Sequence, residues 1–174
     1  MLKTILLLTP VYVTLFWTLV LKTANRHNND RARLFLGKFM FFACILYFSH
    51  FLFFYPLPQV YIYFDALYQY ASLMVYPLFY IYIRLLTVDK KFELKKHYKY
   101  IAVPNLLLIA YLIGILFSPY EHYRRLIADY ENSPWNFLKI VLTCMQLAFL
   151  IQVILCVTGN TILLKKYKHS AGQY

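Results

Sequence analysis

Apolar positions along this chain neither alternate nor keep to one helical stripe. They come in five long runs, at about 4–21, 34–54, 60–86, 100–117 and 137–164. Each reaches the roughly 18–20 residues that a helix, rising about 1.5 Å per residue, needs to cross about 30 Å of hydrocarbon. The third and fifth runs are longer, which predicts tilt or extension past the bilayer. In lipid, every backbone polar group must be bonded inside its own helix or inside a closed barrel. A barrel would show alternating segments of about ten residues; none are found, so the pattern predicts helices. The first run follows Lys3 and runs into Lys22-Thr-Ala-Asn-Arg26 with no small-residue cleavage site, so it reads as a retained span rather than a signal peptide. The expected architecture is an all-α, polytopic membrane helical bundle of five transmembrane helices. It forms a single transmembrane domain over residues 1–174, with no soluble domain, repeat or linker.

Composition agrees. The chain is 61 % hydrophobic and 14 % charged, against about 45–50 % and about 25 % for a soluble domain. No single core of this size hides that much apolar surface, which excludes a typical soluble enzyme, a disordered chain and a disulfide scaffold. Cys44, Cys144 and Cys156 all fall inside apolar runs and read as small buried hydrophobes.

The net charge of +11 suggests nucleic acid or an anionic surface as a partner, and the placement of the charges decides between them. The first break holds Lys22, Arg26, Arg31, Arg33 and Lys38, the third holds Arg84 through Lys99, and the tail holds Lys165, Lys166 and Lys168. The second break, Tyr55-Pro-Leu-Pro-Gln59, has no charge, and the fourth mixes Arg124 and Arg125 with Glu121, Asp129 and Glu131. Basic and non-basic breaks alternate, so the positive-inside rule places the N-terminus outside and the C-terminus in the cytoplasm. The lysines and arginines then lie beside anionic lipid, and the bilayer itself is the expected partner.

Prolines punctuate the runs. Pro56 and Pro58 predict a short, stiff outer turn, Pro77 a kink in span three, and Pro104 a place in the first turn or two of span four. The outer loop, Tyr120 to Glu131, predicts a short surface helix with ion pairs between Glu121 and Arg125 and between Arg125 and Asp129. The inner segment from Asp89 to His97 reads as a solvated, basic amphipathic stretch.

Candidate chemistry centres on Asp65. A carboxyl group in a span is costly and faces the bundle interior or water. Asp65, Gln69, Ser72 and Tyr76 are spaced i, i+4, i+7, i+11, which puts them on one helical face. His50 lies near the outer end of span two, and the short turn after it brings His50 and Asp65 to similar depth. Two readings are open: an outward-opening polar pocket for a small ligand or proton, or a structural His–Asp or Asp–Tyr hydrogen bond tying two helices together. In span five, Thr143, Gln146, Gln152, Thr158 and Asn160 read as interhelical glue or as a coupling or dimer face. Arg84, Gln146 and Gln152 are the coupling candidates. There is no Gly-rich phosphate loop, HExxH, GxSxG or CxxC, and Glu121, His122 and Asp129 lack a recognised metal-ligand spacing. The expectation is a protein that is not an enzyme and carries no cofactor or metal.

Span three ends Tyr76-Pro-Leu-Phe-Tyr-Ile-Tyr-Ile-Arg-Leu-Leu-Thr87; a basic loop, His97 and then Ile101-Ala-Val-Pro-Asn105 follow. This arrangement resembles the tyrosine-rich, multi-span N-terminal region of bacterial membrane-bound AraC-type transcriptional regulators. The basic exit after span five, with Tyr167 and a closing Gln-Tyr174, is similar to the segment that follows in that group. The resemblance implies a membrane-embedded sensor or anchor in the bacterial inner membrane, responding to an external or intramembrane signal. It implies dimeric DNA binding only through a C-terminal helix-turn-helix part, and these 174 residues contain no such pattern. The family's membrane region also continues for about two more spans, which reads this chain as a fragment or as the sensor region only. Alternatives with the same spans are the sensor region of a histidine kinase and a small transporter or accessory protein, the latter disfavoured because only Pro77 suggests a broken half-helix.

Overall fold

The computed structural model describes residues 2–28, 30–55, 58–88 and 93–171. Among the described residues the fold is all-helical, with 91 % of them in six helices and no strand. These are α1 (Leu2–Asn28), α2 (Arg31–Phe54), α3 (Pro58–Thr87), α4 (Leu94–Phe117), α5 (Tyr120–Ala128) and α6 (Phe137–Ala171). All but α5 are long and apolar enough to cross a membrane, over Lys3–Ala24, Arg31–Phe54, Gln59–Thr87, His97–Phe117 and Phe137–Lys165. These windows match the five apolar runs. The helices overshoot them, because backbone hydrogen bonding continues where hydrophobicity stops: α1 reaches Asn28 and α6 reaches Ala171.

Helix α3 is the centre of the bundle. It packs against α2, α4 and α6; α1 packs on α2, and α4 also touches α6. Burial follows this order, with 33 % of the apolar window hidden in α3 and 11 % in α1, so α1 is the lipid-facing periphery. Packing rather than hydrophobic burial holds helices together in lipid, and glycine sets two of the contacts. A Cβ on Gly159 would stand 2.7 Å from the Tyr80 ring, and one on Gly114 would stand 2.8 Å from Cδ1 of Leu138. A side chain at Gly159 would push the Tyr80 ring aside, so glycine lets α6 approach α3 this closely; at Gly114 the Leu138 side chain would have to shift.

The ends are fixed by polar side chains. Oδ1 of Asp30 accepts from the Ala32 amide at 2.9 Å, and its other oxygen meets Nε of Arg33 at 3.3 Å. Asn136 caps α6 by accepting from the Lys139 amide at 2.8 Å. Lys139 is only 4 % exposed. Its ammonium donates to the carbonyls of Ser133 (2.7 Å) and Glu131 (3.3 Å) and lies 5.2 Å and 5.0 Å from the ring centres of Tyr130 and Trp135. The loop before α6 is thus wrapped around a lysine.

Several expectations need correction. Helix α4 begins at Leu94, so Pro104 lies in its interior, not in its first two turns. There it supplies no N–H for the Tyr100 carbonyl. The ion pairs of Arg125 with Glu121 and Asp129 do not form; among the described residues the ion pair seen is Arg33–Asp30. Exposed pairs gain little, and the turn after α5 draws Asp129 to Asn132 instead, with Nδ2 at 2.9 Å and 3.1 Å from the two carboxyl oxygens. Cys156 is buried, but Cys144 is exposed on the lipid side and Cys44 is half-buried, because a span inside a bundle buries only the face it turns to its neighbours. His97 is fully buried in the first turn of α4 rather than solvated. Pro56, most of the inner loop and the closing Gln-Tyr174 lie outside the described residues.

Candidate functional site

Asp65 sits two turns into α3, at the end of the bundle away from the basic loops, and is 3 % exposed. Its cost there is offset by three donors. The hydroxyl of Tyr111, from α4, donates to Oδ2. The hydroxyl of Tyr61 and Nε2 of Gln69, one turn before and one turn after on α3, donate to Oδ1 at 3.2 Å and 3.3 Å. Tyr111 is itself fully buried and belongs to the apolar cluster with Leu73, Leu126, Leu138 and Met145. From α5, the hydroxyl of Tyr123 donates to the carbonyl of Ile62 at 2.9 Å. Asp65 and the helix turn around it therefore fasten α3, α4 and α5 at one end.

His50 does not reach Asp65. Its Nε2 is 3.4 Å from the hydroxyl of Tyr68, and its ring lies 5.3 Å from the Tyr68 ring. Tyr68 in turn lies 6.2 Å from Tyr61, ring to ring, so two tyrosines separate the histidine from the carboxyl group. His50, Phe53, Phe54, Tyr61 and Tyr68 line a cavity of about 250 Å³ beside the Asp65 cluster. Ser72 turns to its own helix, donating to the Gln69 carbonyl at 2.8 Å. Tyr76 packs edge-on against Phe149 of α6 at 5.6 Å. Of the four residues predicted to share a face, only Asp65 and Gln69 are joined side chain to side chain.

The coupling candidates separate similarly. Arg84 lies over the Tyr80 ring at 5.9 Å. Gln152 lines a cavity of about 580 Å³ between α3, α4 and α6, whereas Gln146 is exposed on the lipid side of α6. Thr143 ties α6 to the loop before it rather than to another helix: its hydroxyl lies 2.7 Å from that of Tyr130 and donates to the Lys139 carbonyl of its own helix.

Sequence reasoning missed Tyr111, Tyr123 and Lys139. Tyr111 is one tyrosine in an otherwise apolar span, and its partner lies 46 positions away, so no local spacing marks it. Tyr123 carried a signal, because it and Leu126 are the i, i+3 apolar pair of an otherwise polar helix, and both are buried. Lys139 is a cation placed just inside an apolar run, which is itself a reason to look for partners.

Outside the spans, burial, followed by the nearby Asp65 carboxyl, holds the Tyr123 hydroxyl well above its usual range. Among the described residues no group of three or more His, Cys, Asp or Glu side chains is placed to hold a metal ion. The chain matches no protein-family model, no curated protein and no solved structure.

Proposed function

We propose that these residues are the membrane-embedded sensor or anchoring region of a bacterial one-component transcriptional regulator of the AraC type, with DNA binding carried by a helix-turn-helix part that is not among them. The geometry that favours this reading is the course of α3. It is one continuous helix of 30 residues, central in the bundle, with the Asp65 cluster near one end and Arg84 near the other. The sequence motif that resembles the regulators, Tyr76 to Thr87, is the half of α3 leading to the basic end. A signal that changes how Asp65 is held by Tyr111, Tyr61 and Gln69 would act on the helix that runs toward the proposed cytoplasmic side. Such a shift needs a signal that favours one arrangement of the helices over another. His50, next to the cavity beside this cluster, is the proposed point of contact.

The test is the reading frame beyond the codon for Tyr174, checked by the intact mass of the protein made from its own gene. Continuation into a helix-turn-helix domain supports the regulator. A stop codon at that point, matched by the mass, overturns it and leaves a five-span binding or accessory protein.

A further inference from the structure

A second cavity lies away from the Asp65 cluster, between α3, α4 and α6 toward the basic end, with a volume of about 580 Å³. Its body is apolar, walled by Val103, Ala148, Ile151 and Leu155. Its rim is aromatic and cationic. The rings of Tyr80 and Tyr100 meet edge-on at 5.2 Å, Lys99 lies over Tyr100 at 5.5 Å, and Arg84 lies over Tyr80 at 5.9 Å. Lys99 makes no ion pair with any described residue. Inside the cavity, Oε1 of Gln152 is buried and has no hydrogen-bond partner among the described residues.

These features specify an occupant. An apolar trough open to lipid accepts a hydrocarbon chain. The cation at its mouth, Lys99, at the level where headgroups lie, selects an anionic head. A buried carbonyl oxygen without a donor is an unmet cost, and a plain hydrocarbon chain does not relieve it; a chain bearing a hydroxyl does. We propose that this groove binds a single-chain anionic amphiphile with a hydroxyl on its tail, a hydroxylated long-chain carboxylate. The carboxylate faces Lys99, and the hydroxyl donates to Oε1 of Gln152. The site is distinct from the Asp65 cluster and does not depend on the regulator reading, since binding is measured whatever the output.

The experiment uses the full chain in lipid nanodiscs with a photoactivatable long-chain carboxylate as probe, and maps the labelled peptides. Label is expected on α4 around Tyr100–Val103 and on α6 around Ile151–Cys156. A hydroxystearate should compete better than stearate by roughly 2- to 10-fold, the worth of one neutral hydrogen bond. Gln152→Leu should remove that difference while leaving labelling in place, and Lys99→Gln should weaken both competitors together. Ala148→Trp, which fills the trough, should abolish labelling with the helices still folded by circular dichroism. Label spread evenly over the lipid-facing helices, or equal competition by the two acids in the unmodified protein, would overturn the proposal.

Discussion

The hydroxyl of Tyr111 in α4 donates to the carboxyl of Asp65 in α3, both side chains sealed from the surface, so one bond joins positions 46 residues apart. Interhelical hydrogen bonds in membranes average about 0.6 kcal/mol and rarely exceed about 2. Tyr111→Phe is expected to fall in the upper part of that range, because it leaves the carboxyl with only the weaker donors Tyr61 and Gln69. A double-mutant cycle with Asp65→Asn, read by reversible unfolding in mixed micelles, should give a coupling of about 1 kcal/mol or more. Additive effects would show that the two groups do not depend on each other.

The clamp from α5 has a pH signature. The hydroxyl of Tyr123 is held above its usual range, so the unfolded chain loses this proton first as pH rises. The stability tied to Tyr123 is therefore fully present below about pH 10, the ordinary tyrosine value, and is lost as pH climbs through the raised one. Tyr123→Phe should cost about 0.5–1.5 kcal/mol at neutral pH and flatten the alkaline fall in stability relative to the parent. Unfolding titrations at pH 7 and above pH 10 check both.

Lys139 stabilises the loop before α6 through two carbonyls and two aromatic rings. Lys139→Met keeps the apolar stem but removes the charge, and is expected to cost about 1.5–3 kcal/mol, the range for hydrogen bonds to a charged group. Limited proteolysis should then cut between Asp129 and Asn136 faster than in the parent. Unchanged cleavage would mean the lysine is incidental to the loop.

The alternation of basic and non-basic breaks makes an orientation prediction. Alkaline phosphatase fused within Ser118–Asn136 should be active, and a fusion in the basic segment before His97 should be inactive, with a fluorescent protein giving the reverse pattern. The opposite result would invert the assignment of α5 and the Asp65 cluster to the outer face.

Much of the fold is written locally. Five spans are legible because lipid demands unbroken apolar runs of a fixed minimum length, and the chain keeps them. Pairings between spans are not local, and there the sequence misleads. The short turn after His50 brings it near Asp65, yet Tyr68 and Tyr61 stand between them. Helical spacing puts Asp65, Gln69, Ser72 and Tyr76 on one face, but a face shared along 11 positions meets different neighbours at each turn: α4 at Asp65, α6 at Tyr76. Gln146 and Gln152 are chemically alike, six positions apart on α6, and one faces lipid while the other faces a cavity. The packing of α6 on α3 and α4 distinguishes them. For Asp65 itself, cost alone pointed to the bundle interior, and that is where it lies.

The claim that the Asp65 cluster serves signalling as well as packing is tested most directly by Asp65→Asn in the chromosomal gene, with genome-wide transcript levels and folded membrane protein measured in the same cells. The account predicts an altered transcript pattern with the folded amount within about twofold of the parent, since Asn retains an acceptor for Tyr61 and Gln69. Transcripts and folded protein lost in parallel, or transcripts unchanged, would contradict it and leave Asp65 as a fastening of the bundle alone.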